Sequence, residues 1–200
     1  MTDSRLVQLR SLLLTHQPAD DREAGYLESM LNLLDASADL FSRHHFEPGH
    51  FTASGFVVSP DRSSLLLVHH TKLDKWLQPG GHVEPDDADL EGSARREVHE
   101  ETGLGDLALI GLLDLDVHRF PERDGGPAHD HLDVRFGFCA HSEETAVGDG
   151  TSDVDWFPLA EVAAWDDRPS LSRPAKKLLA STQYRVSSTK EKNHPMCTGY

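Results

Sequence analysis

The stretch from Gly80 to Leu104 restricts this chain more than any other. It opens as Gly80-Gly81-His82-Val83-Glu84-Pro85 and reaches Arg96-Glu97-Val98-His99-Glu100-Glu101-Thr102-Gly103-Leu104. Leu90, Ala94 and Val98 recur at the spacing of one helical face. Gly103 stands where a helix commonly stops. Glu97, Glu100 and Glu101 fall at i, i+3 and i+4, so they share another face of that helix. Two such charges about 6 Å apart repel by roughly 3 kcal/mol at an effective dielectric of about 20. Within the cluster only Arg96, one turn before Glu100, is placed to relieve the repulsion. A divalent cation that prefers hard oxygen donors, Mg²⁺ or Mn²⁺, would turn it into binding energy. On spacing alone, a solvated acidic helix face is the alternative.

The pattern extends beyond spacing. Gly81 to Leu104 resembles the signature box of the Nudix hydrolases: a Gly, a Glu, then Arg-Glu-aliphatic-x-Glu-Glu-x-Gly-aliphatic. The second half matches at Arg96, Glu97, Val98, Glu100, Glu101, Gly103 and Leu104. The first half departs from the family: Asp87 stands where a Glu is usual, and the run from Gly81 to Arg96 is one residue longer than the common form. The resemblance implies an α/β fold, the Nudix α/β/α sandwich with a mixed sheet. It also implies Mg²⁺- or Mn²⁺-dependent hydrolysis of a pyrophosphate linkage in a nucleoside diphosphate joined to another moiety. By the same resemblance Glu97, Glu100 and Glu101 are metal ligands, with the Gly81 carbonyl as a backbone ligand. Glu97 and Glu100 carry the chemistry, and Arg96 holds a glutamate in place. The cation would offset charge on the bridging phosphate and activate water.

Around the box the sequence reads as an N-terminal helical arm over 1–46, a box domain over 47–182 and a flexible tail over 183–200. Leu6, Leu9 and Leu13 predict a short helix ending near Gln17-Pro18. Asp20 followed by Glu23 resembles a helix start. The second helix is expected to run to about His44, with Leu27, Met30, Leu31, Leu34, Ala38 and Phe41 as its apolar stripe. Packing on its own domain, a dimer contact and closure of the substrate cleft are all open to this arm, the first being the plainest. Thr52–Ser59 and Leu65–His70 predict a strand pair, and Lys72 to Pro79 an approach to the two glycines. Lys72 and Lys75 there are candidate phosphate contacts or merely exposed lysines. Asp153–Pro158 reads as a late strand with a helix from Leu159, and 170–181 as the terminal helix.

Two further strands are expected at 107–119 and 131–140, joined by a loop holding Pro121, Gly125, Gly126 and Pro127. Asp114, Asp116 and His118 alternate with Leu115 and Val117. His131, Asp133 and Arg135 alternate with Leu132, Val134 and Phe136. If the strands pair, His118, His129, His131, Asp133 and Arg135 gather on one surface. Arg135 could then grip a phosphate bidentately, while His131 and His118 contact substrate, move protons or hold a further metal. The alternative is a strand's ordinary wet face, and no ligand spacing diagnostic of zinc is present. Glu143 and Glu144, in a polar loop, are candidates for an additional catalytic Glu or simply surface acids.

A formal charge of −15 argues against polymeric nucleic acid as the partner. A small diphosphate, reached through a metal and a local positive site, remains compatible with it. The N-terminus predicts neither signal peptide nor membrane span. Two cysteines, Cys139 and Cys197, make no disulfide framework, so a cytoplasmic setting is expected. The resemblance allows a homodimer. A prenyl-diphosphate isomerase is disfavoured because no Cys precedes Cys139. A catalytically inactive Nudix-fold module for nucleotide sensing or protein binding is the rival from another class, although the second-half glutamates are all present. Pro121, seventeen residues after Leu104, suits an ADP-ribose hydrolase or a plain turn. The substrate itself is not legible.

Overall fold

A computed structural model describes residues 3–36, 39–122 and 126–191, with side chains through 181. In chain order the elements are α1 (Ser4–Thr15), α2 (Asp21–Ala36), β1 (Gly49–Val58), β2 (Ser64–His70), β3 (Lys75–Leu77) and β4 (Gly80–His82). There follow α3 (Leu90–Thr102), β5 (Leu107–Phe120), β6 (His129–Ala140), β7 (Thr151–Pro158), α4 (Leu159–Ala163) and α5 (Pro169–Glu191).

The strands form one mixed sheet in the order β3-β2-β1-β6-β5, with β4 added to β1 and β7 to β2. β1 and β6 run parallel over ten residue pairs, from Gly49↔Asp130 to Val58↔Cys139. β5 pairs β6 antiparallel, as the alternation in both segments predicts. β1 meets β2 antiparallel at Val58↔Leu65 alone, so the expected strand pair has a short contact rather than a long ladder.

Period-two alternation sends residues of each central strand to opposite faces. Phe51, Ala53 and Val57 of β1, with Val134, Phe136 and Phe138 of β6, pack on one face beneath Leu90, Ala94 and Val98 of α3. Phe56 and Val58 turn to the other face, where Leu159, Val162, Leu171, Ala175 and Leu178 of α4 and α5 cover them. Helices thus flank the sheet on both sides, which is the layered α/β architecture expected.

The N-terminal helices join this same core through Leu6, Leu9, Leu13, Met30 and Leu33. Asp20 starts α2 as read: its carboxylate accepts the Glu23 N–H at 2.8 Å. Glu23 is wholly buried and pins the arm to the domain. It accepts the Ala19 N–H (2.7 Å), the Lys177 ammonium of α5 (2.6 Å) and the Leu115 N–H of edge strand β5 (3.1 Å). An otherwise unpaired edge amide is thereby satisfied.

Two boundaries and the exposure of one strand face differ from the sequence reading. α2 ends at Ala36, not near His44, although Leu40 and Phe41 beyond it are still buried. Ala38 of the expected stripe lies outside the described residues. α5 continues to Glu191, so 183–191, read as tail, are helical; neither Gly nor Pro interrupts the chain between Pro174 and Pro195. Residues 192–200 lie outside the described residues. Finally, the polar stripe of β5 and β6 is no wet face. Asp114, Asp116, Asp133 and Arg135 are buried, because Ser170, Arg173 and Lys177 of α5 cover them.

Candidate active site

α3 presents the acidic residues, and its two ends are anchored. The Asp89 carboxylate caps the first turn by accepting the Gly92 N–H at 2.7 Å. At the other end Gly103 adopts φ +74°, a left-handed stop. The loop after β6 then returns to satisfy the last carbonyls: Ala146 N–H to Thr102 (2.9 Å), Gly148 N–H to Glu101 (3.1 Å) and Asp149 N–H to Glu100 (3.1 Å).

Glu97 and Glu101 are directed at the double glycine of β4. A Cβ on Gly81 would lie 2.7–2.8 Å from the Glu97 carboxyl atoms, so only glycine admits that carboxylate. The Gly80 N–H donates to Glu101 Oε2 at 3.3 Å. Burial pushes Glu97 above the usual carboxylate range, although the adjoining Arg96 pulls it down. Burial, reinforced by the negative Glu97, pushes Glu101 from its ordinary 4.5 up to about 8. Among the described residues no ion pair reaches Glu101. Two desolvated carboxylates one helical turn apart, on a backbone with no Cβ between, make a hard-oxygen donor set that suits Mg²⁺ or Mn²⁺.

Glu100 stands apart from this pair. Its side chain is 46% exposed and pairs with Arg96 Nη1 at 3.0 Å. Arg96 is the hub of the site. Its Nε and Nη2 donate to both oxygens of Asp87 at 3.0 Å each, Nη1 also reaches Glu97 Oε1 (2.9 Å), and Nη2 reaches the His82 carbonyl (2.8 Å). Burial would raise the Asp87 carboxyl, but hydrogen bonds from Arg96, the Glu84 N–H and Ser93, together with the Arg96 charge, outweigh it and hold Asp87 low. Asp87 thus supplies a bidentate anchor for Arg96 from the position where the family has Glu.

The second sequence-predicted cluster does assemble, but in two parts. Arg135 is buried at the centre of three aspartates. Its five N–H groups donate to Asp133 (2.8 Å), Asp114 (3.4 Å), Asp116 (2.9 Å), the Ser170 carbonyl (2.9 Å) and the Ser170 hydroxyl (2.9 Å). With every donor engaged inside the protein, no fork is left to grip a phosphate. Arg135 therefore acts as a structural pin of β5, β6 and α5. Asp133 also accepts from Thr52 (3.2 Å), Ser54 (2.8 Å) and Gln78 (3.4 Å), linking that pin to β1 and to the approach to Gly80.

The histidines form the other part. His131 stacks on Phe120 at 4.9 Å, and the His118 ring lies 5.5 Å from it. His118 Nδ1 is 3.2 Å from Asp116. His50 of β1 and His82 of β4, not singled out from the sequence, complete the group. Burial, with repulsion from neighbouring imidazolium groups, lowers His82 to about 4 and His131 further, so both rings are neutral near pH 7. Lys75 is exposed on β3, opposite His70 and beyond β2 from the carboxylates. Glu143 and Glu144 are exposed; the backbone carbonyl of Glu143 accepts the Trp156 indole N–H at 3.2 Å. Two clefts beside α1, one lined by His16 and Lys177 and the other by Leu109 and Phe136, contain none of the three glutamates.

Known proteins resemble this chain in sequence and fold. A chain named probable DHNTP pyrophosphohydrolase, from Lactococcus lactis subsp. cremoris (strain MG1363), is 34% identical over 103 residues, which are 49% of this chain and 58% of that one. This chain therefore matches little more than half the length of that relative. The solved E. coli dihydroneopterin triphosphate pyrophosphohydrolase superposes with a TM-score of 0.54 at 16% identity, over 69% of this chain and 99% of that one. A C. elegans Ap4A hydrolase binary complex gives 0.51 at 16% identity, over 67% and 98%. At such identities the two structures speak for the fold. The family model for the NUDIX domain matches residues 49–179, well over half the chain, and the protein belongs to the Nudix family.

Proposed function

We propose that this protein is a Mg²⁺- or Mn²⁺-dependent hydrolase that cleaves a pyrophosphate linkage in a small phosphorylated molecule, such as a nucleoside diphosphate joined to another moiety. One observation carries the reading: Glu97 and Glu101 lie half-buried side by side against Gly80-Gly81 with less positive charge than two carboxylates need. Such a pair is costly to a fold unless it serves a cation.

Glu97 and Glu101 hold the cation, and the Gly81 backbone is the neighbouring oxygen donor. When bound, the cation offsets charge on the diphosphate and lowers the pKa of water. Arg96, fixed by Asp87, keeps Glu97 in its orientation and partly neutralises it. Glu100, on the solvent side and held by the same guanidinium, orients the attacking water and accepts its proton. Gly103 and the loop at 146–149 keep the last turn of α3, and so Glu100 and Glu101, in register. The relatives named for DHNTP and Ap4A place these two compounds in the panel of substrates to try, alongside nucleoside triphosphates and ADP-sugars.

The test is a phosphate- and pyrophosphate-release screen of that panel with Mg²⁺ and with chelator. At least one compound should turn over only with the metal. Glu97→Gln should lower kcat by on the order of 100-fold or more while the circular dichroism spectrum is unchanged. Tight binding of a panel compound without turnover in Mg²⁺ or Mn²⁺ would overturn the assignment.

A further inference from the structure

On the sheet face opposite Glu97, three strands bring imidazoles to one point. His50 of β1 lies directly across from His131 of β6, and His82 of β4 faces the same side next to Thr52. Ring centroids are 4.9 Å apart for His50–His131, 5.1 Å for His50–His82 and 5.4 Å for His82–His131. One ligand nitrogen from each of the three lies within 4.8 Å of the others.

His50 has no solvent exposure, and its Nε2 has no hydrogen-bond partner. Its Nδ1 is 3.2 Å from the His45 carbonyl. A carbonyl only accepts, so Nδ1 carries the proton and Nε2 presents a lone pair to the cluster. Leaving such an acceptor buried and unsatisfied costs about 1–3 kcal/mol. His129 repeats the arrangement. Its Nδ1 donates to the Pro127 carbonyl at 2.7 Å, and its Nε2 faces His131 Nε2 at 3.2 Å. An imidazole whose far N–H is fixed on a backbone carbonyl is the usual form of a metal-ligating histidine.

We propose that His50, His82 and His131 bind one divalent transition-metal ion of the zinc class, separate from the carboxylate site of α3. An all-nitrogen donor set favours Zn²⁺, Co²⁺, Ni²⁺ or Cu²⁺ over Mg²⁺ and Ca²⁺. Three imidazoles leave a fourth tetrahedral position for water or another donor. The ion ties β4 to β1 and β6. Because the His82 carbonyl accepts from Arg96 and Gly81 precedes it, the ion also fixes the strand that supports Glu97. The proposal does not depend on the hydrolase reading.

The test uses the full chain without a polyhistidine tag, stripped of metal and kept in excess Mg²⁺ to fill the carboxylate site. Co²⁺ is the probe. One equivalent should develop the visible absorption of nitrogen-ligated tetrahedral Co²⁺, and Zn²⁺ should displace it. His131→Gln and His82→Gln should each weaken binding by on the order of 100-fold, while Glu97→Gln leaves it unchanged. Absence of that spectrum in the wild-type protein, or its loss in Glu97→Gln, overturns the proposal. Should the histidine variants not fold, imidazole ¹⁵N spectra of the wild type decide the matter. Zn²⁺ must shift the ring nitrogens of His50, His82 and His131, and a shift confined to other histidines refutes the site.

Discussion

Glu101 is the residue at which the cation requirement can be measured without any substrate. In the metal-free protein its carboxyl is pushed from 4.5 to about 8, first by burial and then by Glu97. Between those two values the folded chain keeps a proton that the unfolded chain has released. The folded state binds more protons, so raising the pH through this window lowers stability, and the loss is complete above about pH 8. A carboxyl moved that far corresponds to a ceiling of about 5 kcal/mol. Partial contact with water reduces the expected loss to about 2–3 kcal/mol. Glu101→Gln resembles the protonated carboxyl and removes the titration. Urea denaturation in chelator at intervals from about pH 5 to about pH 9 should therefore show the variant gaining on the wild type as pH rises. Saturating Mg²⁺ should reverse the order at high pH, because only the carboxylate binds the cation tightly. A wild-type-minus-variant difference that stays flat across the window would refute the claim that Glu101 is a desolvated carboxylate awaiting a cation.

Three other substitutions probe the frame around that residue. Gly81→Ala places a Cβ 2.7 Å from Glu97 Oε1, a flexible side-chain end; stability should fall by less than about 1 kcal/mol while kcat drops on the order of 100-fold, from paired denaturation and rate measurements. Gly148→Ala puts its Cβ 1.9 Å from the Glu100 carbonyl oxygen, so the loop must lift and break two capping bonds; a loss of about 2 kcal/mol and a weaker Mg²⁺ response in a binding titration should follow. Arg135→Met removes the cation from Asp114, Asp116 and Asp133. Unfolding free energy near neutral pH should fall by about 3–5 kcal/mol, and by less in mild acid where the freed carboxylates protonate.

The sequence and the structure agree where information is local. The i, i+3, i+4 placement of Glu97, Glu100 and Glu101, the Gly103 stop and the Arg96–Glu100 pairing all depend on one helix, and each is found. Disagreement begins where a residue's surroundings are set by distant chain. Asp114, Asp116, Asp133 and Arg135 alternate as a solvated strand face would, and nothing near them in sequence records that Ser170 and Arg173 cover them. Membership of the histidine cluster failed for a similar reason. His50, His82 and His131 lie on strands that become neighbours only through the parallel β1–β6 pairing and the short β4 ladder. The pattern in 131–140 showed which residues share a face, but not which strand would lie beside it. The end of α2 was misplaced because Leu40 and Phe41 keep an apolar rhythm although they are buried from a turn rather than a helix.

The Asp-bearing turn before α3 fixes Arg96 with a short side chain. Arg96 needs a carboxylate that meets both Nε and Nη2, since a single contact would leave the guanidinium free to rotate away from Glu97. Asp87 has one methylene fewer than Glu, so its Cα must come closer. The turn after β4 provides this: the Asp87 N–H donates to the Glu84 carbonyl at 3.1 Å, and the Glu84 N–H returns to Asp87 Oδ2 at 2.8 Å. These two bonds fold the extra residue into a closed turn and set Asp87 against Arg96 at 3.0 Å on both oxygens. Side-chain reach and loop length therefore compensate each other. The turn thus leaves a fixed guanidinium beside Glu97.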